Sequence, residues 1–194
     1  MSVYDLILQR RTIRRFRPDP VPHDLLDRLL DAGRLAPVAA NIQPLEFLAV
    51  DDPGVCAQLF PHTAWAGYLE NGAPPEGERP TAYLVILRNQ RLKSPVPDQD
   101  LGFAAMALTL AALDEGVASC AIGALKRPPL EALLGVPDEY LVEMVIALGY
   151  PLEVAVAEEM VGDNVKYWRD AQGVHHVPKR LKEAVTHWNR FGGR

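Results

Sequence analysis

Apolar positions along the 194-residue chain alternate between helical and extended spacing. Val3, Leu6 and Ile7 share one side of a short stretch, predicting a helix over Val3–Gln9 that ends at a run of arginines. Leu25, Leu26, Leu29 and Leu30 recur at helical spacing with Asp27, Arg28 and Asp31 opposite. That helix opens near Pro22 and runs to about Leu35, stopping before Pro37. Glu46 to Val50 reads as a strand, Pro53 to Phe60 as a short helix, and Thr81 to Leu87 as a buried strand. Ala118 to Ala124 reads as a short strand reaching Gly123; a helix from Pro128 or Pro129 to Leu134 follows, capped by Gly135. Leu141 to Leu148 is a strongly apolar strand closed by Gly149-Tyr150-Pro151. A last helix is expected over His176–Val185, with Lys179 and Arg180 at its entrance, where a helix dipole disfavours cations unless they face a shared anion.

The main helix is predicted over Asp100–Glu115. From Leu101 to Leu113 it carries no charge, and apolar residues wrap every side, which calls for burial all round. Gly102, Ala104, Ala105, Ala107, Ala111 and Ala112 let another helix approach closely, so this helix is either the core of a monomer or a core helix that also meets a partner subunit. Residues 61–80 form an irregular stretch with Pro74, Pro75, Pro80, Gly67, Gly72 and Gly77. A loop this long is functional or mobile. Its Trp65 and Tyr68, with Trp168 further on, either line a substrate mouth or anchor their segments to the body. No internal repeat or linker divides the chain, so one domain over 1–194 is expected. Its pattern is mixed α+β, with helices covering a small sheet.

Charge sharpens the reading. The chain is acidic overall, with 25 acidic side chains against 20 Lys and Arg, yet five of the eight residues from Arg10 to Arg17 are arginine. Arginine grips a phosphate in two places and stays charged, and Thr12 adds a hydroxyl, so Arg10–Arg17 reads as an anion clamp. A solvated basic turn and a basic arm for nucleic acid compete with it; the acidic total opposes the second. The N-terminus lacks the apolar core of a leader, and the run Leu101–Leu113 is too short for a bilayer, which needs about 20 residues. Two cysteines without a Cys-x-x-Cys motif suit a reducing cytoplasm, and His175-His176 has no metal-ligand spacing around it. The stretch Pro37-Val38-Ala39-Ala40-Asn41-Ile42-Gln43-Pro44 is a proline-bounded loop whose small residues and two amides suit either a flat ligand or an ordinary connection.

Taken in order, Arg10-Arg11-Thr12-x-Arg14, Ala36-Pro37-x-x-x-Asn41-x-Gln43-Pro44, the small-residue helix, Ser119-Cys120-x-Ile122-Gly123, Leu148-Gly149-Tyr150-Pro151 and Pro178-Lys179-Arg180 resemble the FMN-dependent nitroreductase family over about residues 5–185. The resemblance implies an α+β nitroreductase-like fold with a small, mostly antiparallel sheet, in an interlocked homodimer with FMN at each subunit interface. It implies residues 61–80 as a variable loop and 152–194 as a C-terminal extension reaching the partner. Arg10, Arg11 and Thr12 match the positions that hold the phosphate and ribityl end, and Arg14 the cation near N1 and O2 of the flavin. Pro37, Val38, Ala39, Asn41 and Gln43 match the loop under the ring, Ile122 and Gly123 the backbone that meets N5, and Lys179 and Arg180 the tail that returns to the phosphate. The implied activity passes a hydride from NAD(P)H through flavin N5 to a nitroaromatic, quinone or similar small acceptor by a ping-pong sequence, with no catalytic side chain beyond the cofactor site. Dehalogenation, azoline oxidation and FMN binding without turnover remain open on the same fold. Val38 stands where many members have Ser and Leu45 where many have Trp, which alters contacts at the ring.

Overall fold

The computed structural model describes residues 1–193. Four antiparallel strands form the central sheet: β1 (Leu45–Val50), β2 (Ala82–Asn89), β3 (Ala118–Ile122) and β4 (Tyr140–Gly149), in the order β1-β2-β4-β3. Antiparallel strands usually alternate apolar and polar positions, because one face meets water. Here β2 and β4 read as unbroken apolar runs because helices cover both faces. Leu84, Ile86, Ile146 and Leu148 pack under α2 (His23–Arg34) and α4 (Pro97–Asp114). Tyr83, Val85, Val145 and Ala147 pack on the other side, with Cys56 and Leu59 of α3 (Pro53–Leu59) and Leu130 of α5 (Arg127–Leu134). The α+β expectation holds.

α1 (Val3–Gln9) leads into the arginine segment. That segment is extended and lies along the free edge of β3. Thr12 bridges Ser119, the Ile13 amide donates to the Ser119 carbonyl at 3.0 Å, and Phe16 bridges Pro151. Phe16 is fully buried, and a Cβ added at Gly149 would come within 2.9 Å of it; the close approach of this segment to the end of β4 is why glycine stands there.

Two expectations change. The main helix starts earlier, at Pro97, and a single chain does not bury it all round: Phe103 and Met106 stay about half exposed, at 52% and 47%. The tail does not form a helix over 176–185. Residues 152–179 build a second sheet, β5 (Ala155–Glu159), β6 (Trp168–Arg169) and β7 (His175–Lys179), with β5 parallel to β7 and β6 antiparallel to it; only α6 (Lys182–Val185) is helical. Pro178 explains the difference, since it lacks an N–H for a helix and drives Val177 to an extended conformation. Lys179 ends β7 and Arg180 precedes the Leu181 N-cap of α6, its guanidinium donating to the Ala184 carbonyl; a helix of four residues is too short for the dipole reasoning, which lapses.

Candidate functional site

The arginine segment divides by charge partner. Arg15 pairs with Glu78 and Arg17 with Asp19. Arg10, Arg11 and Arg14 have no carboxylate within salt-bridge distance among the described residues. Three neighbouring cations held without an acid are costly unless an anion joins them. Arg11 Nη1 donates to the Arg10 carbonyl at 2.6 Å, while its buried Nε has no partner among the described residues. Burial and the adjacent Arg10 push its guanidinium below the usual arginine range.

Arg10 and Thr12 open onto a groove of about 220 Å³ between the arginine segment, β3 and α4. Its remaining walls are Gly102, Ala105, Met106 and Thr109 of α4 and Ser119 and Ala121 of β3. Small residues keep the groove open, and the Arg10 guanidinium with the Thr12 and Ser119 hydroxyls supplies donors for an oxyanion. The groove is smaller than the roughly 300–1,000 Å³ of a complete small-molecule site, so it suits one end of a ligand. β3 ends at Ile122, buried, and is followed by Gly123, exposed, where an added Cβ would meet no atom within 4 Å and the backbone stays approachable.

Arg14 is held apart from this groove. Its Nη1 donates to His175 Nε2 at 3.1 Å, and its guanidinium lies 4.9 Å from the centre of the Tyr167 ring. The backbone amides of Arg14 and Arg15 both donate to Glu153 Oε1, and Arg169 donates to Glu153 Oε2. Glu153, whose side chain is only 3% exposed, thus ties the arginine segment to the tail.

The loop Pro37–Gln43 sits elsewhere within one chain. Val38 and Gln43 line a second groove of about 920 Å³ against α2 and β1. Ala40, Asn41 and Gln43 take left-handed conformations, with φ of 48°, 54° and 53°. Such strain costs on the order of 1–3 kcal/mol per residue and clusters at ligand clamps. Asp100, fully buried in the first turn of α4, fastens the loop by accepting the Ala39 amide at 2.8 Å and the Ser94 hydroxyl at 2.5 Å. Pro37, Asn41 and Gln43 are exposed, as are Lys179 and Arg180 at the end of the tail.

Of the predicted residues, then, Arg10, Arg11, Thr12, Ile122 and Gly123 lie along one sheet edge, while one chain does not bring the amide loop or the Lys179-Arg180 pair to the arginine groove. Trp65 anchors its loop: its ring meets Phe60 at 5.7 Å and its Nε1 donates to Thr63. Tyr68 packs on Tyr167 at 4.9 Å, and Trp168 stacks on His176 at 4.1 Å. Sequence reasoning missed Glu153, Asp100, Tyr167 and His175. No local sequence signal marks the first two: Asp98 accompanies Asp100, and the neighbours of Glu153, Leu152 and Val154, are exposed.

The Nitroreductase family profile matches residues 7–150, which leaves the tail carrying Glu153, Tyr167, Arg169 and His175 outside the match. An NADH dehydrogenase of Thermus thermophilus is 29% identical over 192 residues, covering 84% of this chain and 93% of that protein. The structure of an FMN-dependent nitroreductase from Clostridium difficile superposes with a TM-score of 0.68 at 26% identity, covering 96% of this chain and 98% of that one. A Desulfovibrio desulfuricans structure described as a nitroreductase in complex with FMN superposes with a TM-score of 0.64 at 29% identity, over 78% of this chain and 87% of that one. With most of its length inside the family profile, the chain belongs to the Nitroreductase family.

Proposed function

We propose that the protein is an FMN-dependent oxidoreductase that takes reducing equivalents from NAD(P)H and passes them to a nitroaromatic, quinone or similar small acceptor. The observation that carries this is the trio Arg10, Arg11 and Arg14, three cations of one segment without an acid partner among the described residues, with Arg10 and Thr12 opening onto a groove lined by hydroxyls and small residues. The buried unpartnered Nε of Arg11 and the open backbone at Gly123 fit an anionic ligand with a flat body. Arg10, Arg11 and Thr12 would hold the phosphate end, with Ser119 beneath it. When bound, FMN supplies the hydride chemistry, and the protein's part is to hold, orient and tune it. Arg14, with no acid to neutralise it among the described residues, is the cation suited to stabilise negative charge on the reduced ring system. The apolar walls Ala105, Met106 and Ala121 would exclude water from the same place.

The site would be completed by a second copy of the chain. A compact 21.4 kDa monomer exposes about 9,100 Å² by size scaling, whereas this chain exposes 11295 Å². The excess, roughly 2,200 Å², is close to what one partner contributes to an obligate homodimer. Much of it is apolar: Val3, Tyr4, Ile7 and Leu8 on α1, Phe103 and Met106 on α4, and Val154, Val185, Trp188 and Phe191 on the tail. A homodimer closing over α4 would bring the partner's strained loop 37–43 and its Lys179-Arg180 pair within reach of the arginine groove. Phe103→Asp is expected to leave a folded monomer that no longer retains FMN. Sedimentation gives the mass and absorbance at flavin wavelengths the cofactor content. An unchanged dimer would move the interface off this part of α4.

The reading itself is tested by the visible spectrum of the freshly purified protein, followed by anaerobic addition of NADH and NADPH separately. A flavin spectrum that bleaches with one donor is the expected result and identifies that donor. A colourless protein that does not take up added FMN overturns the reading.

A further inference from the structure

The arginine segment is not positioned by the family-matched part of the chain alone. Arg14 belongs to residues 7–150, but the groups that fix its guanidinium lie in the tail beyond them. Arg14 Nη1 has only hydrogens to offer, so His175 Nε2, 3.1 Å away, must accept. The imidazole is therefore neutral and carries its proton on Nδ1. The Tyr167 ring stands 4.9 Å from the Arg14 guanidinium and 5.2 Å from the His175 ring, closing the other side, and Tyr68 from the 61–80 loop backs Tyr167 at 4.9 Å. His175 is 1% exposed while Arg14 is only part-buried, so a guanidinium that loses this acceptor is free to turn toward water.

We infer that His175 and Tyr167 are positioning residues for Arg14, so that the C-terminal sheet sets the geometry of the anion site and acid releases Arg14 by protonating His175. The inference rests on the functional reading above for the identity of the anion. The physics is a single contact with two failure modes. A protonated His175 offers no lone pair to Arg14, and it sets a second cation 3.1 Å from the first. The charged and titratable groups around His175 are Arg14 of the arginine segment, Glu153 before β5, Arg169 of β6, and His176 beside it in β7, with the Tyr167 ring tilted against it. Burial, and then the Arg14 charge, hold the His175 pKa below the ordinary value of about 6.5, with Glu153 opposing. The sign follows. The contact is intact at neutral pH, where the ring is uncharged, and is lost as pH falls through the depressed pKa. His176 runs the opposite way, raised by Asp170 and Glu158, and stays outside the Arg14 contact.

The experiment has two parts, one of them free of cofactor. In ¹⁵N-histidine-labelled protein, His175 is assigned by its absence in His175→Gln and titrated in wild type and in Arg14→Ala. The expected results are the Nδ1–H tautomer at neutral pH and a pKa that rises in Arg14→Ala. An Nε2–H tautomer, or a pKa indifferent to Arg14, overturns the inference. In the second part, the FMN dissociation constant is followed from pH 7.5 to 5 in wild type and His175→Gln. Glutamine accepts from Arg14 through its side-chain oxygen and does not titrate. Wild type is expected to lose at least about tenfold more affinity over this range than His175→Gln, the share of one charge-assisted bond. The second phosphate ionisation, near pH 6, is common to both and cancels in the ratio. Parallel pH profiles overturn the inference. A protein that binds no FMN at any pH overturns the functional reading instead, and the titration then decides the Arg14–His175 coupling by itself.

Discussion

Replacing Glu153 by alanine is expected to cost the fold about 3–5 kcal/mol, a large share of what a domain this size has. Glu153 accepts the amides of Arg14 and Arg15 with one oxygen and the Arg169 guanidinium with the other, at 3% side-chain exposure. Alanine leaves a largely buried cation, two amides without their acceptor, and a void between the arginine segment and β6. Arg169 is itself 19% exposed, so some of its lost partner is replaced by water, which keeps the cost from the top of that range. Glu153→Gln should cost less, because the amide oxygen still accepts from the backbone while the charge of Arg169 goes unanswered. The double variant Glu153→Ala with Arg169→Ala should be less destabilised than the sum of the two singles, since it removes the stranded charge along with its partner. Urea unfolding of wild type, Glu153→Ala, Glu153→Gln, Arg169→Ala and the double variant measures all of this; a Glu153→Ala penalty below about 1 kcal/mol would place the segment's anchorage elsewhere.

Much of this architecture is legible in the amino-acid pattern. Helical spacing places α2 within two residues at either end, and unbroken apolar runs place β2 and β4. The arginine segment stands out because its charge opposes the rest of the chain. The gaps have physical causes. Composition suggests a helix over 176–185, although Pro178 opposes it; the strand forms because β5 and β6 offer it pairing partners on both edges. The left-handed run at Ala40, Asn41 and Gln43 is invisible to propensity, because alanine and glutamine ordinarily avoid it. Asp100 holds the loop in place yet reads only as the acidic start of a helix. Glu153 and His175 act across more than a hundred residues of separation, on positions near 14, and no periodicity encodes such a pairing. Residue type singles out the candidate site residues; tertiary contact sets their partners.

Arg10→Ala and Arg14→Ala are each expected to weaken FMN retention by roughly 10- to 150-fold, the equivalent of about 1.5–3 kcal/mol per charge-assisted hydrogen bond. The two should differ in detail. Arg10 lines the groove directly, so Arg10→Lys, which keeps the charge and loses the fork, should recover only part of the affinity. Thr12→Val should cost less, about 0.5–1.5 kcal/mol, as a neutral hydroxyl does. Arg15→Ala is the control, because Arg15 already pairs with Glu78 at 3.3 Å and has no charge to spare for a ligand. Fluorescence titration of FMN, which is quenched on binding, reads all of these variants, and circular dichroism establishes that each is folded. The ranking carries the information. If the segment merely attracted anions by its summed charge, Arg10, Arg14 and Arg15 would count equally, and their effects would fade together as salt shortens the Debye length. A clamp predicts large effects at Arg10 and Arg14, a small one at Thr12 and none at Arg15, persisting at high salt because directed bonds at close range are screened far less. Full retention in both Arg10→Ala and Arg14→Ala would put the phosphate somewhere other than this groove.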